Sequence, residues 1–579
     1  MRIFFKSAML VACLFVGLWH CKTPDQNQVK TNNSGNSSVA LCGPVSPDLN
    51  TAPGKDGRLA PLFEGLDVYH YPITTDSKLA QKYFDQGFML NYGFNHAEAA
   101  RSFQEAARQD PECAMCYWGL AYVLGPNYNA GMEPEVLIPA NEALIKAKMY
   151  SHKATPKERA LITALGKRYP KALGIDPQPY YEAYADAMRK VHQQYPGDLD
   201  IAVMTAEALM DLHPWDLYTK AGEPRPWTPE ITGLIERVLE KESDHPQGMH
   251  LYIHAMEASN DPEKALAAAN GLRNRVPGSG HLLHMPSHLY INTGHYHEGS
   301  LANERAVKVD SVYVEACHAA GIYPLGYYPH NWHFLAACAA LEGHSERALE
   351  ASRYMAEYTV DQDLMTAPGL ATLQHYYSIP WYIMVKFAMW DEILAEPQPD
   401  ENLRYPEAVW RYARGMAFAN QGDFAKAKTE LAIIKEIEKD STVQEMTIWD
   451  INPIIDVIAI AKLVLSGEIA FRAGKLDRAV EDFTKAVALE DQLNYNEPPD
   501  WFFSVRHLLG AALLANQQYA EAEAVYRKDL QELKRNGWAL MGLYQSLKKQ
   551  GKMEAAKVAQ KQFKEAWKHA DVDLNSSVL

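Results

Sequence analysis

No basic stripe interleaved with aromatic residues occurs anywhere in the 579 residues. A nucleic-acid backbone partner would need one. The net charge is −16 and the pI is near 5.7, a balance that suits a cationic partner or a metal ion. Cysteine is scarce: seven residues are too few for a disulfide-built domain. A Gly-rich phosphate loop, a Gly-x-Ser-x-Gly elbow and a His-Glu-x-x-His helix are all missing. Nothing therefore supports nucleotide use. Nucleophilic catalysis has no candidate beyond Cys113-x-x-Cys116, which reads first as two small residues at a helix start. A redox or metal role for that pair would need a basic or thioredoxin-like setting. Long apolar runs are also lacking. Ala8 to Trp19 is too short to span a bilayer with margin.

That short run reads as a targeting segment. Arg2 and Lys6 give it a positive start, and Cys21 closes it ahead of a polar stretch. The arrangement resembles a bacterial lipoprotein signal. Leu10-Val11-Ala12-Cys13 fits the lipidation pattern better but lies inside the apolar run. Cys21 is the candidate lipidated residue, with simple secretion as the alternative. Residues 22–58 are rich in Asn, Ser, Pro and Gly and read as a flexible tether. The expectation is an exported body, periplasmic or at the cell surface, held at the membrane by a lipid anchor only.

The body repeats. Twelve residues after Gly87 stands Ala99, then Phe103, Ala106 and Pro111. Small residues at Gly87 and Ala99 let two helices pack closely, and Phe103 and Ala106 share the second helix's buried face. Asp110-Pro111 ends that helix. Gly415, Ala427 and Leu431 keep the same offsets, as do Gly467, Ala479 and Phe483, and Gly510, Ala522 and Tyr526. Gly294, Gly343, Gly422 and Gly474 fall where inter-helix turns need them. The spacing resembles the tetratricopeptide repeat. The resemblance implies an all-α, tetratricopeptide-type helical solenoid, a right-handed superhelix of helix–turn–helix units. The layout is a leader at 1–21, a tether at 22–58, N-terminal repeat-like helices at 67–240, a His-rich section at 241–360 and C-terminal repeats at 361–570. Stretches 213–227 and 310–331 read as loop insertions rich in Pro, Gly and Tyr. More narrowly, Phe94-Asn95-His96-Ala97-Glu98-Ala99-Ala100, Cys113-Ala114-Met115-Cys116-Tyr117-Trp118-Gly119 and His284-Met285-Pro286-Ser287-His288 resemble a widespread bacterial family of tetratricopeptide-repeat proteins. That resemblance implies the same solenoid and brings no activity with it.

Thirteen of the 21 histidines fall between His213 and His344. His250 and His254 are spaced i, i+4 and so share a helix face. Adding 34 residues, one repeat, lands on His284 and His288. His333 takes the first of these slots in the next repeat, His281 and His330 lie one turn earlier, and Glu257 lies one turn beyond His254. In repeat geometry these slots face the concave groove. The candidate metal ligands are therefore His250, His254, Glu257, His281, His284, His288, His330 and His333. Imidazole is the commonest ligand for zinc, copper and iron, and the spacing does not choose among them. An i, i+4 pair plus a third ligand from a neighbouring helix completes a site, and this many donors suffices for two ions. Pro286 makes the geometry of the second pair uncertain, because proline kinks helices. Glu207 and Asp211 are candidate supporting carboxylates. Tyr323, Tyr327 and Tyr328 are candidate lid residues. No catalytic residue is assigned. A polar groove for a protein or peptide remains the competing reading of the same histidines.

Three functions fit: a binding or scaffold protein, a metal-dependent hydrolase or oxidase on the same scaffold, and a cell-envelope assembly component.

Overall fold

The computed structural model describes residues 57–317 and 323–579. The leader, Cys21 and nearly all of the tether lie outside the described residues. The described chain is a helical solenoid. Among the described residues the sole sheet is a ribbon pairing Thr447–Ile448 with Asn452–Pro453. No described helix is long and apolar enough to cross a membrane.

Helices come in antiparallel pairs, and each pair follows from the offsets in the sequence. Lys78–Tyr92 packs on His96–Gln109, Arg404–Asn420 on Phe424–Ile437, and Ile454–Arg472 on Leu476–Glu490. Arg506–Ala515 with Tyr519–Glu532 and Gly537–Lys549 with Met553–Ala566 complete the C-terminal part. Phe103 is fully buried between Gly87 and Gly119. A Cβ on Gly119 would meet the Phe103 ring at 2.5 Å. The glycine is thus the space that a phenyl ring fills. Gly294 and Gly343 turn the chain at φ +76° and +83°, where other residues are strained. Thr155 and Glu158 form a reciprocal cap at the start of Pro156–Leu165.

Three findings differ from the sequence expectation. First, the 310–331 stretch is mostly helical. Tyr296–Cys317 continues through Asp310, a wide π-helical turn covers Tyr323–Tyr327, and the next helix starts at Tyr328. The Gly and Pro residues of this stretch, Gly321, Pro324, Gly326 and Pro329, all lie beyond Cys317, so nothing stops the first helix at Asp310. By contrast, 213–227 is an irregular connection carrying a Tyr218–Pro224 bridge. Second, Cys113 and Cys116 are fully buried and joined as a disulfide, with Cys113 capping Ala114–Val123. Third, the far end of the array returns to its middle. Trp538 Nε1 donates to Ala340 O at 3.0 Å, Tyr296 OH donates to Lys534 O at 2.7 Å, and Asp571 Oδ1 accepts from Ser345 N at 2.6 Å. At the other end, residues before Lys78 cross from the first helix pair to Arg275 and Gly278, through Arg275 Nη1 to Val68 O and Gly278 N to Gly65 O.

Candidate metal centre

His245 caps the helix Pro246–Met256 by accepting from Gly248 N, which sets the rotation of that helix. His250 and His254 then lie on one face, and Glu257 follows the helix end. The next segment breaks at Met285 into Gly280–His284 and Pro286–Thr293, as Pro286 requires. The break does not part the second pair, since His284 Nε2 and His288 Nε2 lie 2.9 Å apart. Tyr328–Glu342 supplies His330 and His333.

The rings gather in two groups of three. In one, donor atoms of His250, His254 and His281 all lie within 4.8 Å of one another; in the other, those of His284, His288 and His330 do. Each group is an i, i+4 pair plus one histidine from the following helix, so the unit itself repeats. His281 Nε2 is 3.3 Å from His250 Nε2. The rings of His254 and His288 stand 5.9 Å apart and join the groups. A carboxylate group adjoins them: Glu257, His288 and Glu497. His288 Nδ1 is 2.5 Å from Glu497 Oε2 and 3.0 Å from Glu257 Oε2, with hydrogen-bond geometry only to the former. Asn292 and Tyr495 donate to the other oxygen of Glu497.

The outer contacts fix ring orientation. Gln247 Oε1 faces His250 Nδ1 at 3.0 Å, Glu257 Oε1 faces His254 Nδ1 at 3.0 Å, and Asn303 Oδ1 faces His284 Nδ1 at 2.7 Å. Each leaves Nε2 directed inward, the arrangement by which ligating imidazoles are held. His254 Nε2 and His281 Nδ1 are buried with no hydrogen-bond partner. Orphaned buried nitrogens are expensive for a fold without another use for them.

Electrostatics match this geometry. Burial, then neighbouring imidazoles, hold His250, His281, His284 and His330 well below the ordinary imidazole range, so they are neutral donors. Burial also opposes charge on His288, but Glu257 and Glu497 overcome it and push its pKa up to about 10. Burial raises Glu257, yet His254 and His288 outweigh it and pull its pKa down to about 2. Burial pushes Glu497 upward.

The chamber is closed except at His330, which is half-buried, whereas the repeat geometry led us to expect an open groove. His254 is 2% exposed and His288 3%. Phe94 packs on His250, His254 and His281 at ring distances of 4.8, 5.9 and 5.1 Å. Tyr128 and Trp215 cover His254, and Phe334 covers His284, His288 and His330. Phe94 and Trp215 both hold left-handed backbone, φ +56° and +58°, which costs about 1–3 kcal/mol each for non-glycine residues.

The other expected residues divide. His333 stands outside both groups, stacked on Phe502 and 5.5 Å from the ring of His375. In that third unit the second slot is Ala337, so the pattern is incomplete. Glu207 accepts from Tyr122 OH and lies beside Gln247, one residue removed from His250. Asp211 is instead paired with Arg168 at 2.8 Å. Of the three tyrosines, only Tyr327 reaches the rings, 5.1 Å from His281. Tyr323 donates to Asp310, and Tyr328 turns toward Trp332 and Tyr354. Sequence reading missed Glu497, Gln247, Asn303, Phe94 and Tyr128. Phe94 stood in a segment already singled out; Glu497, 209 residues beyond His288, carried no local signal.

No family model and no curated protein match this chain. Solved structures do. The human IFIT1 dimer with m7Gppp-AAAA is 12% identical over 86% of this chain and 92% of its own, with TM-score 0.29. The APC/C hetero-tetramer Cut9–Hcn1 gives 13%, 87% and 77%, with TM-score 0.28. Yeast Tom70 gives 11%, 83% and 89%, with TM-score 0.27. At these scores the helices themselves, and not the neighbours, carry the description of the solenoid.

Proposed function

We propose that this chain is an exported helical-repeat protein whose closed histidine chamber binds transition-metal ions, one at each three-imidazole group. One observation carries the reading: the pair-plus-one unit occurs twice, each time with its three donor atoms within 4.8 Å of one another. Three imidazoles with a free fourth position suit zinc, copper or iron. Glu257 and Glu497 lie beside His288, where they balance the ions' charge. Cys21 is the proposed lipid attachment, and the bacterial repeat family its proposed kin. The outer helical surface, rather than the chamber, would meet a protein partner.

The test is elemental analysis of purified, tag-free protein. Two ions per chain are expected. His281→Asn and His330→Asn should each hold one fewer while retaining wild-type helicity. Metal-free wild-type protein after exposure to zinc, copper and iron would defeat the proposal. Catalysis by such ions, as hydrolysis or oxidation, is a second reading. It is favoured only by the roof over His254, where Trp215 is 40% exposed and offers the place for a reactant to enter.

A further inference from the structure

A second constellation involves none of the proposed metal ligands. Lys386 ends the helix Ala371–Lys386. Its Nζ lies 2.9 Å from Nδ1 of His507. His507 Nε2 lies 3.1 Å from Asp529 Oδ2, which also accepts from Asn536 Nδ2 at 2.9 Å. The carboxylate fixes the proton on Nε2, so the lone pair of Nδ1 faces the amine. Four helices converge to build this line: Lys386, His507, Asp529 and the Asn536 cap come from four separate elements. A buried lysine that only neutralised an acid would sit on Asp529 directly. Here an imidazole is interposed.

The amine also lines a cavity of about 60 Å³, walled by Tyr382, Trp390, Tyr412, Trp501 and Phe503 and bordered by Leu579. Nζ sits 3.8 Å from the centre of the Trp538 ring and 5.2 Å from that of Phe503. Arg472 at the rim is paired with Glu468 at 2.7 Å, so no free cation is offered to an anionic ligand. Lys386 itself is only half-buried and can be reached from the cavity.

We propose that Lys386 is a nucleophilic amine that condenses with short apolar aldehydes in this cavity, with His507 as its proton relay. The nitrogen lone pair forms a bond to the carbonyl carbon, and the carbonyl π pair moves to oxygen. His507 Nδ1 takes a proton from the attacking nitrogen. It delivers that proton to the alkoxide oxygen, giving a hydroxyl, then takes the second proton from nitrogen and passes it to that hydroxyl, which leaves as water as the C=N bond forms. No oxidant or reductant takes part. Burial supports this chemistry by pushing the ammonium down to about 7, against the pull of Asp529. The aromatic walls match an apolar chain, and the cavity's size limits its length.

The test is reductive trapping on the full chain with butanal and cyanoborohydride, followed by peptide mapping. We expect one butyl group at Lys386, added at reagent levels that leave surface lysines unmodified. Its labelling should rise through about pH 7. His507→Asn should slow labelling of Lys386 by about a hundredfold. Glyoxylate, small but anionic, should label it poorly. Labelling of surface lysines with Lys386 untouched would overturn the proposal. So would His507→Asn reacting as fast as wild type, or glyoxylate reacting as well as butanal. Mapping and the pH profile use wild-type protein, so the outcome stands even where the variant fails to fold.

Discussion

Phe103 shows how single residues set this fold. Its ring fills the space left by Gly87 and Gly119, and it is wholly buried. Phe103→Ala should destabilise by about 3–5 kcal/mol, read by denaturant unfolding. Gly119→Ala should also destabilise, by about 1–3 kcal/mol, because the ring must move. Asp310 makes a different prediction. It is buried, accepting from Tyr323 OH at 2.7 Å and Asn331 Nδ2 at 2.6 Å. Burial raises its pKa from 3.8 to about 7. The folded state therefore keeps a proton that the unfolded chain releases. Its contribution is full below pH 3.8 and is lost as pH rises through about 7. Each unit between the two values is worth about 1.4 kcal/mol. Asp310→Asn should flatten that segment of the stability–pH curve, measured by thermal melts across pH 4 to 7. Single residues were legible in sequence when they sat at a repeat offset, as Gly87, Ala99 and Phe103 did. Asp310 was not: its burial depends on Tyr323 and Asn331, which no local pattern ties to it.

At the level of helices, six of the seven histidines that the repeat register pointed to lie in the two groups, and His333 stands outside them. The reason is physical. Register fixes which way a side chain points, but a third donor comes from the following helix one turn earlier, as His281 and His330 do. His333 has its own follower in His375, so it belongs to the incomplete third unit. Pro286 interrupted the helix without separating His284 from His288, because the following turn resumes at once with Pro286 as its first residue. Glu497 reaches His288 from the connection between Leu476–Glu490 and Arg506–Ala515. Glu497→Gln should weaken metal retention by about 10–100-fold, measured by competition with a chromogenic chelator, while leaving the first group loaded. Equal loss from both groups would mean that Glu497 acts on the chamber as a whole.

For the molecule as a whole, the proposed loading of the closed chamber would be tied to folding. Ions held between helices that are far apart in sequence bind the native state and not the unfolded chain. At a free-metal level of 100 times the dissociation constant, each site should add about 2.7 kcal/mol. Removing metal with a chelator should therefore lower the melting temperature, and His281→Asn should halve that difference. A melt insensitive to chelation would count against chamber binding. What the sequence could not convey at this scale was closure. Each helix pair is written in local offsets, whereas the contacts of Trp538 with Ala340 and Asp571 with Ser345 span about a third of the chain. Those contacts also change how the array comes apart. An open stack of repeats frays from its tips inward. With its last helices fastened to its midpoint, this one lacks a loose tip on that side. Its final pair should exchange amide hydrogens as slowly as the centre does. A clipped carboxyl end would then not shorten the array by one unit; it would spring the whole clasp.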